Sequence, residues 1–448
     1  MGIFERKFLL KSQDEGGIVM FGGIPMLKSF KANNAFSFYD DYEVSMVATG
    51  IKTHKDSLIT CENNEHVPEN LSILPVLSIY GANASGKTNL LRTMLFAFNS
   101  INGTKGGQIF GNFFKGIAPS DDANIIGFEG TKIDIVFLLN KDEYKFTFHV
   151  IMGDFLHETL LYRKNGKGRM LNLYNRVWNS SNDTWKLTIG ETIAKQIKDE
   201  ISYVSSMEQD NANLLMYALC KRGKNPLFLA IADWSSRFAN EETQILPSLG
   251  MMTLSTNEKN PHFKILNDEI YKKEIIAFLQ EMNPRIQGYN FEESKNERDF
   301  QHTLNFSYDK ESHLSNLKNS IDDALSHLES RGIYTSITLL PSILVALKKG
   351  GLVIVDEMEN SLHPLLMLRI IGMFTNPDIN TGGGQLIFTT HNTLVMDKRY
   401  LRQDEIGFVE RHKDGASEFY KLSDIDGVRS DLDFCKNYIL GAFGAVPK

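Results

Sequence analysis

The sequence predicts an α/β fold: a mostly parallel central sheet, interrupted by an antiparallel β subdomain and a helical insertion. Three observations carry that expectation. Val76-Leu77-Ser78-Ile79-Tyr80 is a short apolar run that feeds a glycine-bounded loop and then a helical stretch from Asn89 to Leu95. Leu352-Val353-Ile354-Val355 is a second such run, ending in the carboxylates Asp356-Glu357. Gln385-Leu386-Ile387-Phe388-Thr389-Thr390 is a third, ending in His391. Short, fully apolar runs suit strands buried on both faces, and open parallel sheets bind ligands at the carboxyl ends of such strands.

The loop after the first run is Gly81-Ala82-Asn83-Ala84-Ser85-Gly86-Lys87-Thr88, which reads GxxxxGK[ST]. Strand before and helix after are the context a phosphate loop requires. Backbone N–H groups of such a loop and of the helix N-terminus face phosphate anions. Lys87 adds a point charge at the β- and γ-phosphates, and the Thr88 hydroxyl can hold Mg²⁺. Gly81 and Gly86 allow positive φ and close approach to the ligand. The candidate ATP-binding stretch runs from Gly81 through Thr88 to Asn89. Asp356 is placed to hold Mg²⁺ through water, and Glu357 is the natural general base for an attacking water. His391, as a neutral imidazole, can hydrogen-bond the γ-phosphate and orient that water. Pro75 sits where a strand start tolerates a missing N–H.

At 448 residues, with 42% hydrophobic and 23% charged content, the chain is expected to form two or three units with a sizeable core. No apolar run reaches the roughly 18 residues of a membrane helix, and the N-terminus lacks the pattern of a signal peptide. Cys61, Cys220 and Cys435 lie far apart with no CxxC, so no disulfide framework or zinc site follows from them, and a reducing cytoplasm fits. The net charge of −7 argues against a surface coated for nucleic acid, while a local basic patch stays open.

Taken in order, residues 1–25 read as a polar lead-in and 26–130 as an N-terminal lobe with the phosphate loop. Within it Met26 to Asn34 and Tyr42 to Ala48 alternate as strands. Phe36 and Phe38 between them suit either an adenine contact or core packing. Residues 131–190 read as an antiparallel β meander, with strands at Ile133–Phe137, Tyr144–Val150 and Glu158–Tyr162. The basic turn Arg163 to Arg169 suits a solvated hairpin tip better than a phosphate contact. Residues 191–300 read as a helical insertion, with helices at Thr192–Ser205, Asn211–Lys221, Pro226–Asn240 and Tyr271–Met282. A C-terminal lobe, 301–448, opens with a strand at Thr303–Tyr308 and a polar helix from Asn316 to Leu328. A helix from Tyr334 to Leu347 follows, preceded by Ser330-Arg331-Gly332. Ser-x-Gly at a helix N-terminus offers hydroxyl, N–H groups and dipole to an anion, and more often is a simple cap. A helix through Met373 and a closing hairpin, Ile406 to Glu410 with Ser417 to Tyr420, complete the lobe.

Phosphate loop, Ser-x-Gly, strand–Asp–Glu and strand–His, in that order around a large insertion, resemble the ABC-class ATPases, and the SMC, RecF and overcoming-lysogenization-defect types more than transporters. At finer grain the chain looks like RloA/AbiLi-type AAA family ATPases of bacterial anti-phage and abortive-infection systems, related to the ATPase of the PARIS system. The residues behind this are Met26 to Phe30, Val44 to Ala48, Gly81 to Thr88, Val355-Asp356-Glu357-Met358-Glu359-Asn360-Ser361-Leu362-His363-Pro364, Phe388 to Thr393, and the ending Gly441 to Pro447. The resemblance implies an ABC-type P-loop ATPase head that uses ATP and Mg²⁺. It implies head-to-tail homodimers, or higher oligomers of them, in which Ser330 and Gly332 contact the γ-phosphate of the opposite subunit. It also implies a cytoplasmic switch that senses a phage-derived trigger and controls a separate effector, a RloB- or Toprim-like nuclease.

The chain departs from that pattern at three places. Relatives often carry Asn-Phe-Arg-Ser-Phe where this chain has Asn34-Ala35-Phe36-Ser37-Phe38. The signature lacks Gly-Gly-Gln, and no Q-loop glutamine stands out. Only 57 residues follow His391, too few for a nuclease domain, and Asp424, Asp426, Asp431 and Asp433 there read as a solvated acidic loop. The alternative is an SMC/RecF-like DNA-repair ATPase acting directly on DNA; the acidic charge and absence of heptads weigh against it.

Overall fold

The computed structural model describes residues 24–103, 130–151, 153–236, 265–296, 299–308, 331–360, 362–429 and 432–447. Among them no helix is long and apolar enough to cross a membrane. The lead-in through residue 23, the polar helix expected at 316–328, Ser330, Ser361, Asp431 and residues 237–240 of one expected helix lie outside the described residues.

The chain opens with β1 (Met26–Asn33) and β2 (Tyr42–Ser45), then two short strands, β3 (Ile59–Thr60) and β4 (Ser72–Ile73). β5 (Val76–Tyr80) leads through the glycine loop into α1 (Lys87–Ile101). Five long strands follow: β6 (Thr131–Leu139), β7 (Asp142–Ile151), β8 (Asp154–Arg163), β9 (Leu171–Asn179) and β10 (Thr184–Ile189). Then come α2 (Lys195–Ser205), α3 (Leu215–Arg222), α4 (Pro226–Ser236) and α5 (Glu269–Met282). The hairpin β11 (Ile286–Asn296) and β12 (Asp299–Tyr308) precedes α6 (Arg331–Lys349). The rest is β13 (Gly351–Val355), α7 (Pro364–Thr375), β14 (Gly384–Thr389), β15 (Ile406–Arg411), β16 (Ser417–Lys421) and α8 (Phe434–Ile439).

The central sheet has the order β13-β14-β5-β15-β16, the first four parallel and β16 antiparallel to β15. β5, β13 and β14 are buried on both faces, which is why they read as unbroken apolar runs. Alternate residues point into two cores. Leu77, Ile79, Leu352, Ile354, Ile387 and Val409 join one, with α1 and the antiparallel strands. Val76, Tyr80, Val353, Val355, Phe388 and Phe408 join the other, with α5, α6 and α7. On α1, Leu90, Leu91, Met94, Phe98 and Ile101 recur at helical spacing and are buried, so one face of the helix seats it against the sheet.

The second sheet is antiparallel, seven strands in the order β10-β9-β8-β7-β6-β1-β2. β1 pairs with β6 from Met26↔Leu138 to Asn33↔Lys132. The expected boundary at residue 130 therefore falls inside one continuous sheet. Inside it Glu158 is fully buried; its carboxylate accepts from Leu215 N (2.7 Å), Met216 N (3.1 Å) and the Tyr174 hydroxyl (2.8 Å). It thereby satisfies two of the N–H groups that the start of α3 leaves unpaired. Burial raises its carboxyl above the ordinary range, and the neighbouring buried Arg176 opposes that rise. Arg176 lies over the Trp185 ring, 3.8 Å from its centroid.

One stretch differs from its sequence reading. β11, Ile286–Asn296, lies inside the stretch 191–300 that was expected to be helical. Ile286 and Tyr289 are both buried, three residues apart, as on a helix. A register irregularity between Ile286 and Gly288 in the pairing with β12 produces that spacing in a strand.

Candidate active site

The phosphate loop joins the C-terminal end of β5 to the N-terminus of α1. Gly86 caps the helix at φ +117°, a left-handed conformation that a side chain resists. At Gly81 a Cβ would lie 2.3 Å from the Val409 carbonyl oxygen, so β15 passes too close for any other residue. Ala84 holds φ +60° despite having a Cβ, at a cost of roughly 1–2 kcal/mol. Lys87 is buried, and its ammonium donates to the carbonyls of Gly81 (2.9 Å) and Ala82 (3.0 Å). Burial lowers its pKa, while Asp356, Glu357 and Glu359 pull it back up.

Because β14 lies between β13 and β5, their carboxyl-end tips converge on the loop. The Thr88 hydroxyl donates to Asp356 Oδ2 at 2.7 Å, a contact between residues 268 positions apart in the chain. Thr389, the last residue of β14, is fully buried; its hydroxyl donates to Asp356 Oδ1 (2.5 Å) and accepts the Glu357 N–H (2.7 Å). One hydroxyl therefore sets the carboxylate of Asp356 and the backbone of Glu357. Glu357 sits at φ +48°, a conformation costing on the order of 1–3 kcal/mol. Asn360 helps hold it there: its N–H donates to the Glu357 carbonyl (2.7 Å) and its amide to Glu357 Oε2 (2.9 Å).

His391 follows β14 directly. Its backbone N–H donates to Glu359 Oε1 at 2.6 Å, and the Thr390 N–H donates to the Ile79 carbonyl at 3.0 Å. The His391 pKa is lowered, first by burial and then by the Lys87 charge, so the imidazole is neutral at pH 7. Glu359 Oε2 is buried with no hydrogen-bond partner among the described residues. The donor set of Thr88 hydroxyl and Asp356 carboxylate is all oxygen, which suits a hard cation such as Mg²⁺. The strained loop backbone and buried Lys87 suit a polyphosphate.

The turn expected near the nucleotide does reach the loop, through a serine. Ser37 lies 2.8 Å hydroxyl to hydroxyl from Ser417 and accepts from the Asn89 amide at 3.0 Å. Phe38 is fully buried and packs against Tyr42 with ring centroids 4.3 Å apart and planes tilted by 40°, which is the core-packing role. Gly332 is buried in the first described turn of α6, and Ser330 lies outside the described residues. Arg163 donates to both oxygens of Glu143 at 2.8 Å, so the basic turn at 163–169 is partly neutralised within the sheet. Asp424 accepts from Lys421 N and Asp433 caps α8, and the described residues hold no cluster of metal-ligating side chains in that acidic stretch. Thr389, Asn360, Ser37, Arg411 and Ser417 are site residues that reading the sequence for motifs did not single out. Asn360 and Thr389 fall in stretches that carry the family resemblance and Ser37 in the turn that departs from it, but their residue types gave none of them a role.

The sequence model of the family described as "AAA domain, putative AbiEii toxin, Type IV TA system" matches residues 76–212 and 237–397, well over half of the chain. No curated protein matches the sequence. Among solved structures, the SMC head domain from Thermotoga maritima aligns over 88% of this chain and 98% of its own, with 14% identity and a TM-score of 0.38. An Smc head with an extended coiled coil, derived from Pyrococcus furiosus and bound to the C-terminal domain of ScpA, aligns over 89% of this chain and 96% of its own. Its identity is 11% and its TM-score 0.42.

Proposed function

This chain belongs to the AbiEii-type AAA-domain family, and from that premise we propose that it is a Mg²⁺-dependent ATP hydrolase acting as the regulatory switch of an abortive-infection system. The observation that carries the chemistry is the 2.7 Å contact between Thr88 and Asp356, which joins the phosphate loop to the carboxylate strand. Lys87 and the loop N–H groups, with Asn83 and Asn89 alongside, hold the β- and γ-phosphates. Thr88 and Asp356 hold Mg²⁺, which when bound offsets charge on the phosphate oxygens. Glu357 accepts the proton of the attacking water, held in place by Asn360 and the Thr389 hydroxyl. His391, neutral at pH 7, orients that water as a hydrogen-bond partner.

Ser330 and Gly332 act on the ATP of a second copy, so two chains meet head to tail about a two-fold axis and each closes the other's site. ATP occupancy then favours the closed dimer. The dimer answers a phage-derived trigger in the cytoplasm and restrains or releases a separate effector, a RloB- or Toprim-like nuclease. The family's abortive-infection name supports this reading.

The test is ATP binding and turnover by the purified chain with Mg²⁺. Lys87→Ala should lose binding. Glu357→Gln should bind ATP and turn over at least about a hundredfold more slowly, the usual contribution of a general base. ATP affinity in Lys87→Ala equal to that of the unmodified chain would overturn the reading of the site. Recovery of the same effector with the tagged chain from infected cells tests the switch.

A further inference from the structure

The outer side of the phosphate loop is gripped by the β15–β16 hairpin. β15 runs parallel to β5 with Phe408 opposite Tyr80, so its last residues pass beside the loop. From its end, Arg411 Nη1 donates to the Ala84 carbonyl at 3.1 Å. From the start of β16, the Ser417 hydroxyl donates to the Ser85 carbonyl at 2.6 Å. Two consecutive carbonyls of the loop are therefore drawn outward to the hairpin. In a trans peptide the C=O and N–H point in opposite directions, and the described chain has no cis peptide bond. Drawing Ala84 O toward the hairpin turns the Ser85 N–H to the opposite side, where it donates to the Ala82 carbonyl at 3.2 Å and closes a turn within the loop. Drawing Ser85 O outward turns the Gly86 N–H inward in the same way.

We propose that Arg411 and Ser417 are positioning residues for nucleotide binding, a clamp that fixes the loop backbone and aims the Gly86 N–H at the phosphates from behind. Arg411 Nε also donates to Gly415 O at 3.1 Å, which ties the hairpin turn to the loop tip through one rigid guanidinium. Ser417 is held in turn: its N–H donates to the Ser37 carbonyl at 2.7 Å. The hairpin, the turn after β1 and the phosphate loop thus form one hydrogen-bonded unit.

The inference rests on the nucleotide reading of the site. It is tested by titrating ATP and ADP, each with Mg²⁺, into the unmodified chain and into Arg411→Ala and Arg411→Lys, alongside melting of the ligand-free proteins. Arg411 is exposed, so Arg411→Ala should melt like the unmodified chain. Its dissociation constants for ATP and for ADP should both rise, on the order of tenfold, the weight of a hydrogen bond to a charged group. Both nucleotides carry the β-phosphate that the loop cradles, so they should lose affinity together. Arg411→Lys, which keeps a donor and the charge, should recover part of the loss. Unchanged affinity in Arg411→Ala, or a loss confined to ATP, would overturn the clamp while leaving the site intact. Failure of the unmodified chain to bind either nucleotide would remove the site reading itself and the clamp with it.

Discussion

Replacing Thr389 by Val removes one hydroxyl and little volume from a fully buried position. Two interactions disappear. The 2.5 Å bond to Asp356 Oδ1 has a charged acceptor and is worth about 1.5–3 kcal/mol. The 2.7 Å bond from the Glu357 N–H leaves a part-buried donor unpaired, which costs about 1–3 kcal/mol. Since both act through one atom the terms do not simply add, and roughly 3–4 kcal/mol is the expected loss of stability. Glu357 would also lose one of the contacts that hold its backbone at φ +48°. Thr389→Ser is the control: it keeps the hydroxyl and removes one methyl, costing about 1 kcal/mol. Urea unfolding measures the stability difference, and single-turnover hydrolysis at saturating ATP measures the effect on the chemical step. Thr389→Val should be the less stable of the two variants by about 2 kcal/mol or more, and the slower in hydrolysis. Equal stability and equal rates for Val and Ser would refute the idea that this hydroxyl sets both acids.

Three further outcomes are expected. Asn360→Ala should slow hydrolysis while leaving ATP binding unchanged, because the Asn360 amide touches only Glu357 among the site acids; weaker ATP binding would contradict that assignment. Burial pushes the Glu405 carboxyl from 4.5 up to about 8, so the folded chain keeps a proton that the unfolded chain releases. Its stability should fall as pH rises from about 5 to 8, by a few kcal/mol at about 1.4 kcal/mol per pK unit, and Glu405→Gln should flatten that fall in urea titrations at both pH values. Lys421, lowered to about 8 by burial, acts in the opposite sense above pH 8, where stability should recover towards pH 10. Lastly, Lys87→Ala and Ser330→Arg chains should each be inactive, while mixing them should restore part of the activity through one complete shared site. Full activity in Ser330→Arg alone would exclude the shared site.

The sequence by itself determined where the candidate site lies. Lys87, Thr88, Asp356, Glu357 and His391 are legible because each stands where a run of apolar residues stops, and such runs are unbroken only when a strand is covered on both faces. Most helices were legible too: the apolar face of α1 repeats at 3.6 residues, and α2 to α5 were found to within a few residues of their observed starts. What only the tertiary structure decided is neighbourhood across long separations. Strand order is not a local property, so nothing near Thr389 in the chain says that its hydroxyl meets Asp356 and Glu357. The same holds for β1, which joins the meander 98 residues after its own end, and for Arg411 and Ser417, which reach the loop only because β15 pairs with β5. β11 was hidden for another reason: a bulge gave its buried residues the spacing of a helix. Side chains that react advertise themselves by type and position. Side chains that orient them are ordinary serines, threonines and asparagines, and only the packed fold shows which atoms they hold.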